Sequence, residues 1–248
     1  MVDHSPDHSG YSPSVLAELL AQAHNRIATA ASAAGRDPDE VQLLVAVKDR
    51  SASEVAELGA AGGLLIGHNR AQELEAMAAE LAAIPDSPSF TTHFIGRLQS
   101  NKAQKVVPLV DCVQSVDSLR LAERLNRLAD ARERDLEVFV QVNTSAETTK
   151  GGVAPEGAEA LATEVAALPR LRLRGLMTIG ANSTDEAVVR ASYERLAALR
   201  DAVVASGAPG TTEATELSMG MSRDLEIAVA AGATMVRLGT AVFGSERS

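Results

Sequence analysis

From Pro13 onward, apolar residues recur at helical spacing (Leu16, Leu19, Leu20, Ala23, Ile27) and predict an opening helix that Gly35 and Pro38 stop. The chain then alternates between two periods. Short apolar runs predict strands over residues 42–47, 63–66, 92–95, 110–114, 138–142, 172–177, 215–218 and 234–237. Helical stretches over residues 52–60, 69–82, 101–107, 117–134, 155–167, 184–206 and 222–231 separate them. Ser51 and Glu54 have the spacing of a capping box, and Val189, Leu196, Leu199 and Val203 hold one face of a long helix. Residues 1–12 show no apolar period and are rich in Pro, Ser, His and Asp, so a disordered tail is expected there.

Strict alternation implies a parallel sheet with crossover helices, either an open doubly wound sheet or a closed barrel. The 248 residues match the ~250 typical of the barrel. No G-x-G spacing occurs, nor a Walker-A loop, nor H-E-x-x-H. The expected fold is α/β: a single (β/α)8 TIM barrel over residues 13–248 with an additional N-terminal helix.

Composition narrows the function classes. The formal net charge is −10, which argues against a general nucleic-acid or anionic-membrane surface. Six aromatic residues and no Trp leave little for base stacking. Cys112 is the single cysteine, which excludes an internal disulfide and a Cys-rich metal site. No apolar run is long enough for a membrane span and the start does not read as a signal peptide, so a cytoplasmic protein is expected.

In such a barrel, function collects where strands end, and phosphates often bind after strands 7 and 8. Strand 7 runs into Ser218-Met219-Gly220-Met221-Ser222, with Ser222 placed to cap the next helix. Strand 8 ends at Arg237-Leu238-Gly239-Thr240, again a glycine beside a hydroxyl. Two ordinary turns would read the same way. Strand 1 ends in Lys48, and alternation places Leu44, Ala46 and Lys48 on one face. If that face is interior, Lys48 projects into the mouth, where a lysine drawn away from water becomes a nucleophile toward carbonyls. The alternative is a lysine snorkelling at a strand end. An interior Arg237 needs an acceptor, whether a ligand or a nearby carboxylate. Lysine, anion cup and arginine together suit the aldehyde, phosphate and ring nitrogen of pyridoxal 5′-phosphate (PLP).

Five blocks then carry a resemblance: His93-Phe94-Ile95-Gly96-Arg97-Leu98-Gln99-Ser100-Asn101-Lys102; Gln141-Val142-Asn143 with Lys150-Gly151-Gly152; Leu173-Arg174-Gly175-Leu176-Met177; Ser218 to Ser222; and Met235 to Gly244. In this order they resemble the pyridoxal phosphate homeostasis protein family, whose barrel is similar to the N-terminal domain of bacterial alanine racemase. The resemblance implies a Schiff base between PLP and Lys48, phosphate binding at Ser218, Gly220, Met221, Ser222, Gly239 and Thr240, and Arg237 at the ring nitrogen. It also implies that Asn69, His93 and Met177 line the pocket. The chain departs from the family pattern beside the lysine, with Val47, Asp49, Arg50 and Ser51, and at His68, where the family has Glu.

The implied function is non-catalytic: PLP held and released within the cell, with PLP-dependent apoenzymes as acceptors, by a monomer that uses no metal. An amino-acid racemase is the main alternative. It would need acid and base groups on both faces of the cofactor, whereas Tyr11 and Tyr193 lie away from predicted strand ends and the chain ends soon after strand 8. A Schiff-base aldolase acting on a sugar phosphate is a second alternative.

Overall fold

Leu43, Val45 and Val47 pack outward against helices, while Leu44 between them is fully buried on the opposite face. A strand covered on both faces belongs in a parallel sheet wrapped by helices. The computed structural model describes residues 13–145, 147 and 150–243; the expected tail over residues 1–12 lies outside them. Among the described residues, eight parallel strands close in sequence order, with β1 paired to β8. They are β1 (Gln42–Ala46), β2 (Leu65–His68), β3 (Thr91–Phe94), β4 (Cys112–Val116), β5 (Leu136–Gln141), β6 (Leu171–Met177), β7 (Glu216–Ser218) and β8 (Met235–Leu238). The opening helix α1 (Pro13–Ala33) precedes the barrel. Around the barrel run α2 (Ala52–Ala60), α3 (Ala71–Ala83), α4 (Ala103–Val106), α5 (Leu119–Asp130), α6 (Ala158–Ala166), α7 (Glu186–Ala205) and α8 (Leu225–Ala230). A short α9 (Thr240–Phe243) follows β8. The expected (β/α)8 barrel with an extra N-terminal helix is the fold that forms.

Element limits differ where glycine and proline act. β2 begins two residues later than the apolar run predicts. Gly62 adopts φ +99° and the Gly63 N–H closes on the Leu58 carbonyl, so both finish α2. The strand then continues through His68, which is buried. The helix predicted over residues 101–107 is reduced to α4 and a 3₁₀ turn, Val107–Leu109, because Pro108 cannot extend α-helical hydrogen bonding. The pattern did not predict α9. The Ser51–Glu54 capping box forms in both directions at the start of α2.

Inside the barrel, Cys112, Phe139 and Met177 form their own apolar cluster, separate from the helix-facing core. At the end of the barrel where the strands begin, Arg174 reaches Glu216 at 3.1 Å and Glu137 at 3.5 Å. α1 packs across α8 and α9. Its Arg26 pairs with Glu226 and donates to the Ser222 carbonyl at 2.8 Å, and Arg36, just beyond it, donates to the carbonyls of Val229 and Ala233. No helix among the described residues is long and apolar enough to cross a membrane.

A Cβ on Gly175 would lie 1.8 Å from the Glu216 carbonyl oxygen, so β6 and β7 approach closely only because that position is glycine. Gly175→Ala is expected to destabilise the barrel by ~3 kcal/mol or more. A thermal midpoint unchanged by circular dichroism would refute this.

Candidate functional site

The C-terminal ends of the strands gather the residues picked out in the sequence. Lys48 follows β1 in the turn that opens there, and it is half-buried. Asn69 follows β2 and is exposed; its backbone packs so closely on Gly96 that a Cβ there would lie 1.9 Å from the Asn69 carbonyl oxygen. Met177 ends β6 and is buried in the interior cluster.

The turns after β7 and β8 lie side by side. Thr240 Oγ1 donates to Ser222 Oγ at 3.2 Å, and the Arg237 N–H donates to the Gly220 carbonyl at 3.0 Å. Gly220 has φ +93°, and a Cβ there would lie 2.5 Å from that of Ala228, so the turn requires glycine. A Cβ on Gly239 would meet the Ala46 carbonyl oxygen at 3.2 Å, which keeps the second turn close to β1. Among the described residues, the backbone N–H groups of Ser222, Gly239 and Thr240 make no internal hydrogen bond. Uncommitted N–H donors beside two hydroxyls are suited to an anion. The Met221 N–H is already taken by Asp224 Oδ1 at 2.6 Å.

Two expectations need correction. Ser222 does not cap α8; the cap position falls to Asp224, two residues on, because residues 219–224 are used in the turn. The Ser218 hydroxyl points into the barrel rather than toward the turn, donating to Gln114 Oε1 at 2.6 Å and accepting from Arg237 Nη1 at 2.9 Å.

Arg237 is buried, and its other bond goes from Nη2 to the Thr178 carbonyl at 2.8 Å. Among the described residues it forms no ion pair with a carboxylate, so the carboxylate alternative does not hold. Burial lowers its pKa, while Tyr193 and Asp224 oppose the shift. The guanidinium has five N–H groups and two are used. A buried cation held only by neutral oxygens suits a ligand acceptor at the mouth.

His93 is buried beneath the mouth, with Nδ1 2.8 Å from Gln114 Nε2. Gln114 and Thr178 were not anticipated. Gln114 had one available signal: it is a polar residue two positions after Cys112 in an apolar strand. Tyr193, on α7, lies close to the strand ends after all. A Cβ on Gly180 would be 2.7 Å from its hydroxyl. That hydroxyl is buried beside Asp224 and the Gly220 backbone, and burial, with the Asp224 carboxylate, raises its pKa.

Outside the cup, Lys150 Nζ donates to Glu147 Oε1 at 2.7 Å and to the Gly180 carbonyl at 2.6 Å. Lys105 pairs with Glu75 on the surface. The unusual residues after Lys48 have structural partners. Arg50 lies 4.8 Å over the Phe243 ring and 3.8 Å from Glu54, and Asp49, at φ +56°, lies 3.8 Å from Arg70. Val47 packs in the helix-facing core.

The alanine racemase N-terminal domain family matches residues 19–247. A Pseudomonas aeruginosa pyridoxal phosphate homeostasis protein is 44% identical over 232 residues, covering 94% of this chain and 96% of that protein. The chain belongs to the pyridoxal phosphate homeostasis protein family. A solved structure of PipY from Synechococcus elongatus PCC7942 with PLP bound is 36% identical, with a TM-score of 0.77 over 92% of this chain and all of that one. Alanine racemase of Clostridium difficile 630, at 16% identity and a TM-score of 0.74 over 95% of this chain and 58% of that one, shares the fold.

Burial lowers the pKa of both His68 and His93 from 6.5 to about 4. In this member of the pyridoxal phosphate homeostasis protein family the folded state therefore binds fewer protons than the unfolded state below pH 6.5. Stability is complete above that pH and falls as pH drops toward 4, by roughly 3 kcal/mol for each histidine. Urea midpoints measured across this window should decline, and His68→Gln should flatten part of the decline; a constant midpoint would contradict it. Tyr193→Phe removes a buried hydroxyl beside Asp224 and should shift stability by no more than ~1 kcal/mol in either direction. A clear loss in thermal midpoint would reveal a hydrogen bond there.

Proposed function

We propose that this protein binds PLP at the barrel mouth and serves in intracellular PLP homeostasis as a carrier without strong catalysis of its own. The observation that carries this reading is Arg237, a buried cation with only neutral partners, set below two anion-suited turns. The names of its relatives and the PLP-bound PipY structure support it. Bound there, PLP supplies an aldehyde that an amine captures with loss of water.

Lys48 would supply that amine. The N–H groups and hydroxyls of Ser222, Gly239 and Thr240, with the Gly220 and Met221 backbone shaping the first turn, would hold the phosphate. Arg237 would donate to the ring nitrogen, positioned by Ser218. Asn69 would flank the ring at the rim, with Met177 and His93 forming the floor. An arginine cannot give up its proton, so it would keep the ring nitrogen unprotonated and the ring a poor electron sink. That argues against transamination, and the burial of the Tyr193 hydroxyl away from solvent argues against its use as a racemase acid or base. We place the protein in the cytoplasm as a monomer, with PLP-dependent apoenzymes as acceptors.

Borohydride reduction of the PLP-loaded protein followed by peptide mapping should find the pyridoxyl mass on Lys48, and Lys48→Ala should lose it while remaining folded. The mass on Lys102, Lys105 or Lys150 would refute the assignment. Ser222→Ala removes a hydrogen bond to an ionised oxygen, so PLP affinity should fall by roughly 1.5–3 kcal/mol. Unchanged affinity in both Ser222→Ala and Thr240→Val would move the phosphate elsewhere. Multiple turnovers of L-alanine to D-alanine, lost in Lys48→Ala, would favour the racemase.

A further inference from the structure

A continuous buried chain of hydrogen bonds crosses the barrel from β8 to β3. Arg237 Nη1 donates to Ser218 Oγ at 2.9 Å, Ser218 Oγ donates to Gln114 Oε1 at 2.6 Å, and Gln114 Nε2 meets His93 Nδ1 at 2.8 Å. Gln114 Nε2 also lies 3.1 Å from Met235 Sδ. Gln114, Ser218, His93 and Arg237 are all buried, so water does not compete for these bonds.

The direction of the chain follows from which groups can only donate or only accept. Arg237 has no acceptor, so Ser218 Oγ receives its N–H, leaving the serine proton for Gln114. On the other side of the amide, the Met235 thioether has no proton and can only accept. A donor-only group at one end and an acceptor-only group at the other fix the Gln114 amide in one orientation, oxygen toward Ser218 and NH2 toward Met235. The same NH2 faces His93, so Nδ1 must present a lone pair and the ring proton resides on Nε2.

We infer that Gln114 is a positioning residue: it holds Arg237 through Ser218 and fixes His93 as the neutral Nε2–H tautomer. The part concerning Arg237 rests on the proposed role of that residue at the PLP ring nitrogen. The part concerning His93 does not.

The tautomer also decides what a neighbouring cluster can do. His93, Cys112 and Glu137, from three adjacent strands, bring ligand-type atoms within 4.8 Å of one another, in a spacing that would admit a metal ion. A proton on Nε2 removes the imidazole lone pair from that cluster. Glu137 is also 3.5 Å from Arg174, a cation that disfavours a second one. The cluster is therefore assigned as part of the barrel floor with no metal.

The experiment uses the full chain, free of PLP, with nitrogen-15 histidine. Long-range proton–nitrogen correlation at neutral pH should show His93 as Nε2–H, unchanged by one equivalent of zinc sulfate. Gln114→Glu keeps an acceptor for Ser218 but places an acceptor-only oxygen against Nδ1, so His93 should move its proton to Nδ1 or become doubly protonated. A wild-type Nδ1–H tautomer, stoichiometric zinc binding with loss of the Nε2–H signal, or an unchanged tautomer in Gln114→Glu would each overturn the inference.

PLP titration followed by absorbance forms the second arm. Gln114→Leu, shown to be folded by circular dichroism, should weaken PLP binding by about tenfold, the equivalent of ~1.4 kcal/mol, whereas Gln114→Glu should stay within about threefold of wild type. Wild-type affinity in a folded Gln114→Leu would remove the positioning role. A wild-type protein that binds no PLP would instead refute the proposed function and leave the tautomer result standing. Should Gln114→Leu not fold, the wild-type and Gln114→Glu spectra still decide the inference.

Discussion

An arginine sealed inside a barrel, with no carboxylate in ion-pair contact among the described residues, imposes order on everything around it. Arg237 stays charged, and each N–H left without an acceptor in low dielectric destabilises the fold. Ser218 and the Thr178 carbonyl meet two of these groups, and Ser218 is in turn held by Gln114. The strands carrying these residues, β8, β7, β6 and β4, therefore cannot shift register independently near the mouth. A carboxylate would have neutralised Arg237 more simply and left it nothing to offer a ligand.

The apolar residues of the barrel divide the remaining work. Helix-facing Val and Leu side chains form one continuous outer core, whereas the interior holds a small apolar cluster around Phe139 together with Leu44 and Met235. Gln114, Ser218 and Arg237 add a buried polar layer to that interior. Glycines at positions 96 and 220 let the chain approach closely at the mouth where any side chain would collide, and Gly175 does the same where β6 meets the start of β7.

Much of this was legible in the chain. Strand 1 shows why: a period of two leaves only two faces, so the alternation separates the helix-facing Leu43 and Val45 from Leu44 on the interior. Gly220 and Gly239 marked the two turns for a similarly local reason. The role of Ser222 was misread, since a serine before an apolar stretch resembles a helix cap, and only the folded turn shows that residues 219–224 are used differently. The orientation of Ser218 toward Gln114, 104 residues away, depends on the closure of the barrel, and no local pattern encodes it. Tyr193 was misplaced for the same reason. A tyrosine in the middle of a long helix gives no sign that it reaches the loops above the sheet.

The opening helix stands outside the eightfold alternation, yet its Arg26 grips the Ser222 carbonyl and Glu226 from behind. One wall of the rim is thereby braced by an element that does not belong to the sheet. The stiffness of that wall is set on the far side from anything entering the mouth. A force that peeled α1 from the barrel would slacken the Ser222 turn while leaving the strands closed, so the rim could loosen without the barrel unfolding.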